Sequence, residues 1–203
     1  MKIMQSILST VLLTACSFSS SVYADEDYIT VSAFLGSRIN QDINNQGSSN
    51  NAELSSELTQ ALSIGWKYDT KAEGELLLSN SKQHLSMAGT EFDTYVQYLH
   101  LGGKVLFTNE TPFSTNIGIG AGITYFNPNT NEYDPKTALS AHLSGGLRYQ
   151  INQQFSLKSD LRVYATRFNT ENHLFCKEGN CLINLDDSFY LQTEILMGFE
   201  YKF

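Results

Sequence analysis

From Phe113 to Phe126 the chain alternates without a break. Phe113, Thr115, Ile117, Ile119, Ala121, Ile123 and Tyr125 take one side, and Ser114, Asn116, Gly118, Gly120, Gly122 and Thr124 take the other. A period of two is the signature of a β-strand with one apolar and one polar face, because successive side chains leave a strand in opposite directions. The pattern recurs at Leu139, Ala141, Leu143, Gly145, Leu147, Tyr149 and Ile151 against Ser140, His142, Ser144, Gly146, Arg148 and Gln150. It recurs again over Phe155 to Phe168, where Leu157, Leu161, Val163 and Ala165 oppose Lys158, Asp160, Arg162 and Tyr164. In the tail Phe189, Leu191, Ile195, Met197, Phe199, Tyr201 and Phe203 oppose Gln192, Glu194, Glu200 and Lys202. Such strands are longer than the roughly 5–6 residues usual in soluble sheets.

The amino-terminal half is noisier but compatible. Asp27 to Arg38, Glu57 to Tyr68, Lys71 to Ser81 and Thr94 to Phe107 supply four more strands, for eight in all. An even number closes a barrel with both ends on one side and leaves no unpaired edge. The connections alternate in length. Tight turns are expected at Asp69-Thr70, Asn109-Glu110-Thr111 and Asn152-Gln153, and long polar loops at about Ile39 to Ser56, Lys82 to Asp93, Asn127 to Thr137 and Asn169 to Asp187. Short turns at the periplasmic end and long loops outside are the asymmetry of outer-membrane barrels. A soluble, lipocalin-like barrel would point the apolar face inward instead. The aromatic residues favour the membrane reading, because Tyr68, Tyr125, Tyr149, Phe155, Phe189 and Tyr201 lie near strand ends on the apolar face, where interfacial girdles belong. The expected fold is therefore an all-β, closed, eight-stranded, antiparallel up-and-down transmembrane barrel.

The segment before the first strand reads as an export signal. Lys2 gives a positive end, Ile3 to Ala15 is largely apolar, and Val22-Tyr23-Ala24 offers a cleavage site before Asp25. Residues 1–24 are thus expected to be removed, leaving 25–203 as the barrel domain. Leu13-Thr14-Ala15-Cys16 also fits a lipobox, with Cys16 lipidated, and the two readings stay open. Export to an oxidising periplasm makes a disulfide the natural state of Cys176 and Cys181. Four zinc ligands are not at hand there, since His173 is a lone neighbour, and no metal or cofactor is expected. A formal charge of -8 without a Lys/Arg cluster argues against nucleic acid as a partner.

The polar faces define a set expected to point into the barrel: Lys67, Glu73, Glu75, His100, Lys104, His142, Arg148, Lys158, Asp160, Arg162, Glu194 and Glu200. Both signs are present, so they can neutralise one another. Eight strands enclose room for side chains or one small ligand, so a salt-bridge network filling the lumen is the leading expectation and a narrow channel the alternative. Gly118, Gly120 and Gly122 alternate within a strand with no helix after them, which fits close packing on the inner face and not a phosphate loop.

The closing residues Phe199-Glu200-Tyr201-Lys202-Phe203 resemble the assembly signal of bacterial outer-membrane barrels, with Phe199, Tyr201 and Phe203 at alternate positions. The whole mature chain is similar to the small-barrel superfamily containing the OmpA transmembrane domain, OmpX and OmpW. The likeness lies in strand number, glycine-rich inner faces and loop asymmetry. It implies residence in the outer membrane, contact with its lipid and lipopolysaccharide, and insertion by the barrel assembly machinery. One short stretch, His142-Leu143-Ser144, resembles the His-x-Ser pair of the outer-membrane lipid A deacylases. A hydrolase needs the serine activated by the histidine and the histidine oriented by an acid. The position matching that family's acid is Ser156, so Glu194 or Asp160 would have to take its place. The expected function is accordingly non-enzymatic, structural or adhesion-like, with an unknown extracellular ligand held by the loops. A lipid A hydrolase using His142 and Ser144, and a narrow channel, are the alternatives.

Overall fold

Alternation over a dozen residues leaves the backbone only one economical partner, another strand of the same kind. The computed structural model describes residues 28–40, 53–54, 57–87, 90–108, 112–130, 134–167, 174–177, 180–183 and 189–203. Its strands are β1 (Ile29–Asn40), β2 (Glu53–Leu54), β3 (Glu57–Asp69), β4 (Ala72–Met87), β5 (Thr90–Thr108), β6 (Phe113–Pro128), β7 (Lys136–Gln150), β8 (Phe155–Arg167), β9 (Leu174–Lys177), β10 (Asn180–Ile183) and β11 (Phe189–Lys202). Eight of them, β1, β3 to β8 and β11, pair in sequence order, and β1 pairs with β11 to close the ring. Every pairing is antiparallel. The expected export signal, Cys16 included, lies outside the described residues.

Closure is completed at the end where β1 begins and β11 ends. Phe203 donates its backbone N–H to the Ile29 carbonyl at 2.9 Å, and Lys202 donates to the Gln154 carbonyl at 2.8 Å. Two of the three expected tight turns are visible at this end. Asp69 Oδ1 accepts from the Thr70 amide, and Asn152 Oδ1 accepts from the amides of Gln154 (2.9 Å) and Phe155 (2.7 Å). A short side chain that bonds its own following backbone stabilises a turn locally. The third, at 109–111, lies outside the described residues.

At the opposite end one expectation is overturned. Lys82 to Asp93 was expected to be a polar loop. Instead β4 and β5 continue as a paired hairpin through Lys82↔Tyr95, His84↔Asp93 and Met87↔Thr90. Polar composition here marks strands that have risen into water and not a loss of strand structure. The outward face of this ribbon changes from Leu76 and Leu78, or Leu99 and Leu101, to Asn80, Lys82 and His84, or Gln97 and Asp93. Gln97 Nε2 donates to Asn80 Oδ1 at 3.1 Å, and Lys82 Nζ lies 2.7 Å from Asp93. The ribbon thus extends beyond the apolar belt.

That belt is the outer surface of the barrel. Leu35, Leu101, Ile117, Ile119, Leu143, Leu161 and Met197 are all exposed, while polar residues are buried. In water this is an inverted arrangement, and it is the one a bilayer stabilises. Aromatic rings gather at the rim where β1 begins and β11 ends: Phe113 packs on Tyr149, and Tyr201 packs between Phe155 and Phe203. No helix among the described residues is long and apolar enough to cross a membrane. Gly74 faces outward under the Trp66 ring, and a methyl group there would run into the indole.

A charge placed on this surface tests the reading. Leu101→Arg, in the middle of the belt, is expected to destabilise the barrel by about 2–4 kcal/mol. The same change at Tyr68, at the rim, should cost roughly 0–1 kcal/mol. Urea unfolding in lipid vesicles measures both, and equal small costs would contradict a lipid-facing belt.

Candidate functional site

The inward positions of the eight strands converge on one filled lumen. Near the end where β1 begins and β11 ends, Arg148 Nη2 donates to Glu73 Oε2 at 2.9 Å and to Glu200 Oε2 at 3.1 Å, and Lys158 Nζ lies 2.9 Å from Glu200. Tyr28 closes this layer from below, donating to Glu73 at 2.6 Å, and Lys202 Nζ sits 4.2 Å from its ring centre. One step inward, Arg162 forms a two-pronged pair with Glu75 (2.9 and 3.0 Å) and a third bond to Asp160 at 2.7 Å. Lys104 meets the same Glu75 at 2.5 Å.

Above these lies the pair of imidazoles. His100 Nδ1 and His142 Nδ1 are 2.7 Å apart, with the rings stacked at 4.9 Å. Higher still, Arg38 pairs with Glu194, and its guanidinium also donates to the Val96 carbonyl (3.0 Å) and to Ser79 (2.8 Å). Tyr164 donates to the other Glu194 oxygen at 2.7 Å. Tyr98 stacks on Tyr164 at 4.0 Å, and Arg38 lies 4.7 Å from the Tyr98 ring centre. A neutral layer of Asn40, Gln83, Tyr190 and Gln192 finishes the column.

The ion-paired groups named above are Arg38, Lys104, Arg148, Lys158 and Arg162 against Glu73, Glu75, Asp160, Glu194 and Glu200, five of each sign. Their formal sum is zero. Burying charge costs several kcal/mol per ion unless geometry is good and remaining hydrogen-bonding capacity is used. Arg38 meets that requirement with all three of its nitrogens engaged, while the forked contacts of Arg148 and Arg162 leave their Nε atoms, and Asp160 Oδ1, without a hydrogen-bond partner among the described residues.

Of the twelve side chains expected to face inward, eleven join or directly adjoin this column. Lys67 takes an inward register position opposite Glu73 at the rim, is half-buried, and makes no ion pair among the described residues. Arg38, which is wholly buried, escaped the sequence reading although it shares the parity of Thr30, Ser32 and Phe34. Its position at the border of an expected loop hid it. Tyr98 was likewise missed, being one of several aromatics and not a charge.

The hydrolase geometry does not form. His142 and Ser144 share the inward face of β7 and are both buried, but His142 bonds to His100, and Ser144 Oγ has no hydrogen-bond partner among the described residues. Both are screened from lipid by the wall that carries them. Gly120 faces His142 across the sheet, and its missing side chain is the space the imidazole fills. The glycines on β6 thus serve packing, as expected. Cys176 and Cys181 occupy directly opposed register positions in the β9–β10 hairpin, but their side chains lie outside the described residues, so the disulfide itself rests on the sequence.

Three solved structures share this architecture. The outer membrane protein OprG from Pseudomonas aeruginosa matches with a TM-score of 0.58 at 15% identity, covering 88% of this chain and 96% of that one. Neisserial surface protein A matches with a TM-score of 0.60 at 12% identity, covering 87% and 97%. The outer membrane protein AlkL, solved in lipid bilayers, matches with a TM-score of 0.58 at 13% identity, covering 91% and 93%. No family model matches the chain, and no curated protein sequence matches it. The fold is that of a small eight-stranded barrel of the bacterial outer membrane.

Two measurements follow from the geometry. Arg38→Ala leaves Glu194 buried without its cation and is expected to destabilise the barrel by about 3–5 kcal/mol. Pairing it with Glu194→Gln should recover part of that loss, as read by urea unfolding in lipid vesicles. On the hairpin above the belt, hydrogen bonds from Lys82 and then His84 hold the Asp93 carboxyl below the usual carboxylate range. A depressed carboxyl stabilises the fold above its unfolded value of about 3.9 and loses that contribution as pH falls through its lower folded value. Amide protection factors of the hairpin should therefore hold steady at neutral pH and drop in strong acid, and Asp93→Asn should abolish the drop.

Proposed function

We propose that this protein is a non-enzymatic outer-membrane barrel that recognises a partner outside the cell through its extracellular connections. The observation that carries the reading is the lumen. A column of matched ion pairs, stacked tyrosines and amides occupies it, leaving the barrel as a rigid scaffold and not a wide conduit at neutral pH. Recognition then falls to the surface that scaffold holds up. The β4–β5 ribbon supports this, because a paired hairpin raised above the bilayer presents side chains in fixed register and loses less entropy on binding than a free loop. The opposed Cys176 and Cys181 would stiffen a second projection if joined, by shortening the loop that must be ordered.

The hydrolase reading lacks a serine–histidine contact, so Ser144→Ala is expected to leave lipid A acylation unchanged by mass spectrometry. The binding reading is tested by trimming the barrel from above. Residues 85–92 are replaced by a two-residue turn, alone and together with removal of 41–52, and each protein is purified in lipid nanodiscs. Heat-modifiable gel migration should be kept, while binding to arrays of glycans and extracellular-matrix proteins should fall with each trimming. Undiminished binding by the doubly trimmed barrel, or none by the intact one, would count against surface recognition.

A further inference from the structure

The two lumen histidines meet through the same atom of each ring, and that contact has room for a single proton. With His100 Nδ1 and His142 Nδ1 at 2.7 Å, one must donate and the other accept. The outer nitrogens decide which. Arg162 Nη1 lies 3.5 Å from His142 Nε2, and a guanidinium offers only donors, so Nε2 is bare and neutral His142 carries its proton on Nδ1. His142 Nδ1–H therefore donates to His100 Nδ1. That leaves the His100 proton on Nε2, aimed at Ser140 Oγ at 2.7 Å. Ser140 Oγ has a second lone pair, which accepts from Thr124 Oγ1 at 2.7 Å. The result is a directed chain from Arg162 through His142 and His100 to Ser140, with the two imidazoles in opposite tautomers.

A further proton on either imidazole is aimed at a donor. On His142 Nε2 it would face the Arg162 guanidinium, and on His100 Nδ1 it would face the His142 N–H across 2.7 Å. The charged and titratable neighbours are Glu75 on β4, Tyr98 and Lys104 on β5, Asp160, Arg162 and Tyr164 on β8, Glu194 on β11, and Arg38 on β1. Each of the three carboxylates is already engaged by Arg38, Arg162 or Lys104 and none is bonded to an imidazole, Asp160 Oδ1 being the one of their oxygens without a hydrogen-bond partner among the described residues. The β6 wall behind the pair is Gly120 and Gly122, so a ring displaced toward it meets backbone and not another ionisable group.

We propose that His100 and His142 form a one-proton latch across the middle of the lumen, closed while both rings are neutral and released when acid adds a second proton. Release separates the rings and opens this layer of the column to water and small ions. The inference goes beyond surface recognition and does not depend on it, since trimming the loops leaves both histidines in place.

The test uses the folded full chain with 15N-labelled histidine in detergent micelles, and the same protein in planar lipid bilayers. Near pH 7.5, nitrogen shifts should show two neutral rings of opposite tautomer, assigned by His100→Asn and His142→Asn. On acidification from about pH 7.5, both signals should move together to the doubly protonated form while conductance rises several-fold. His142→Phe should hold conductance at its neutral-pH level throughout. If that variant fails the heat-modifiable gel assay, His142→Gln takes its place. Identical tautomers, rings that titrate with no change in conductance, or an acid step that survives removal of His142 would each overturn the latch.

Discussion

The structure depends on matching charge inside a wall that cannot supply water. Once eight strands close, each inward side chain depends mainly on other inward side chains to satisfy it, as an eight-stranded interior is just wide enough for side chains to fill. A lone buried cation would cost several kcal/mol, so the lumen is solved as a set and not residue by residue. Arg162 shows how the set is built. Its two terminal nitrogens bring together Glu75 on β4 and Asp160 on its own strand, while Lys104 on β5 completes the charge on Glu75. Strands far apart in sequence are tied through one guanidinium, which complements the backbone ladder that joins only neighbours.

The outer surface obeys the opposite requirement with the same residues' neighbours. Each strand therefore carries two interleaved messages, one read by lipid and one by the lumen. A one-residue slip would exchange them and place Arg162 or Glu194 in the bilayer. The Glu194↔Arg162 and Arg38↔Glu194 pairings show that register and ion pairing support one another across β8, β11 and β1. The sheet fixes which charges meet, and the charges penalise any other sheet.

Strand number, inward parity and the lipid-facing belt were legible because a period of two survives even a noisy sequence. Glu73, Glu75, Asp160, Arg162 and Glu194 could be placed inside from parity alone. Their partners could not, because contact across a barrel depends on tilt and stagger, which leave no mark within a single strand. Arg38 was missed where a strand end borders a polar segment. The β4–β5 ribbon was misread for the same reason: above the bilayer the outward face becomes polar, so the alternation that signals a strand fades although the pairing persists. Asn80, Lys82 and His84 lie on a strand that has left the membrane, not on a loop.

That ribbon and the filled lumen have one origin. A barrel this narrow gains nothing from an empty interior, since unfilled polar positions would leave buried groups without partners. Filling it removes the interior as a broad passage and makes the wall rigid enough to carry a paired extension into solvent. The same filling concentrates ionisable groups at short range, so small changes in protonation act on contacts with no slack. The His100–His142 pair is where this is sharpest, because the column's ion pairs join opposite charges while these two rings meet through the same atom. Their contact depends on a proton being present once.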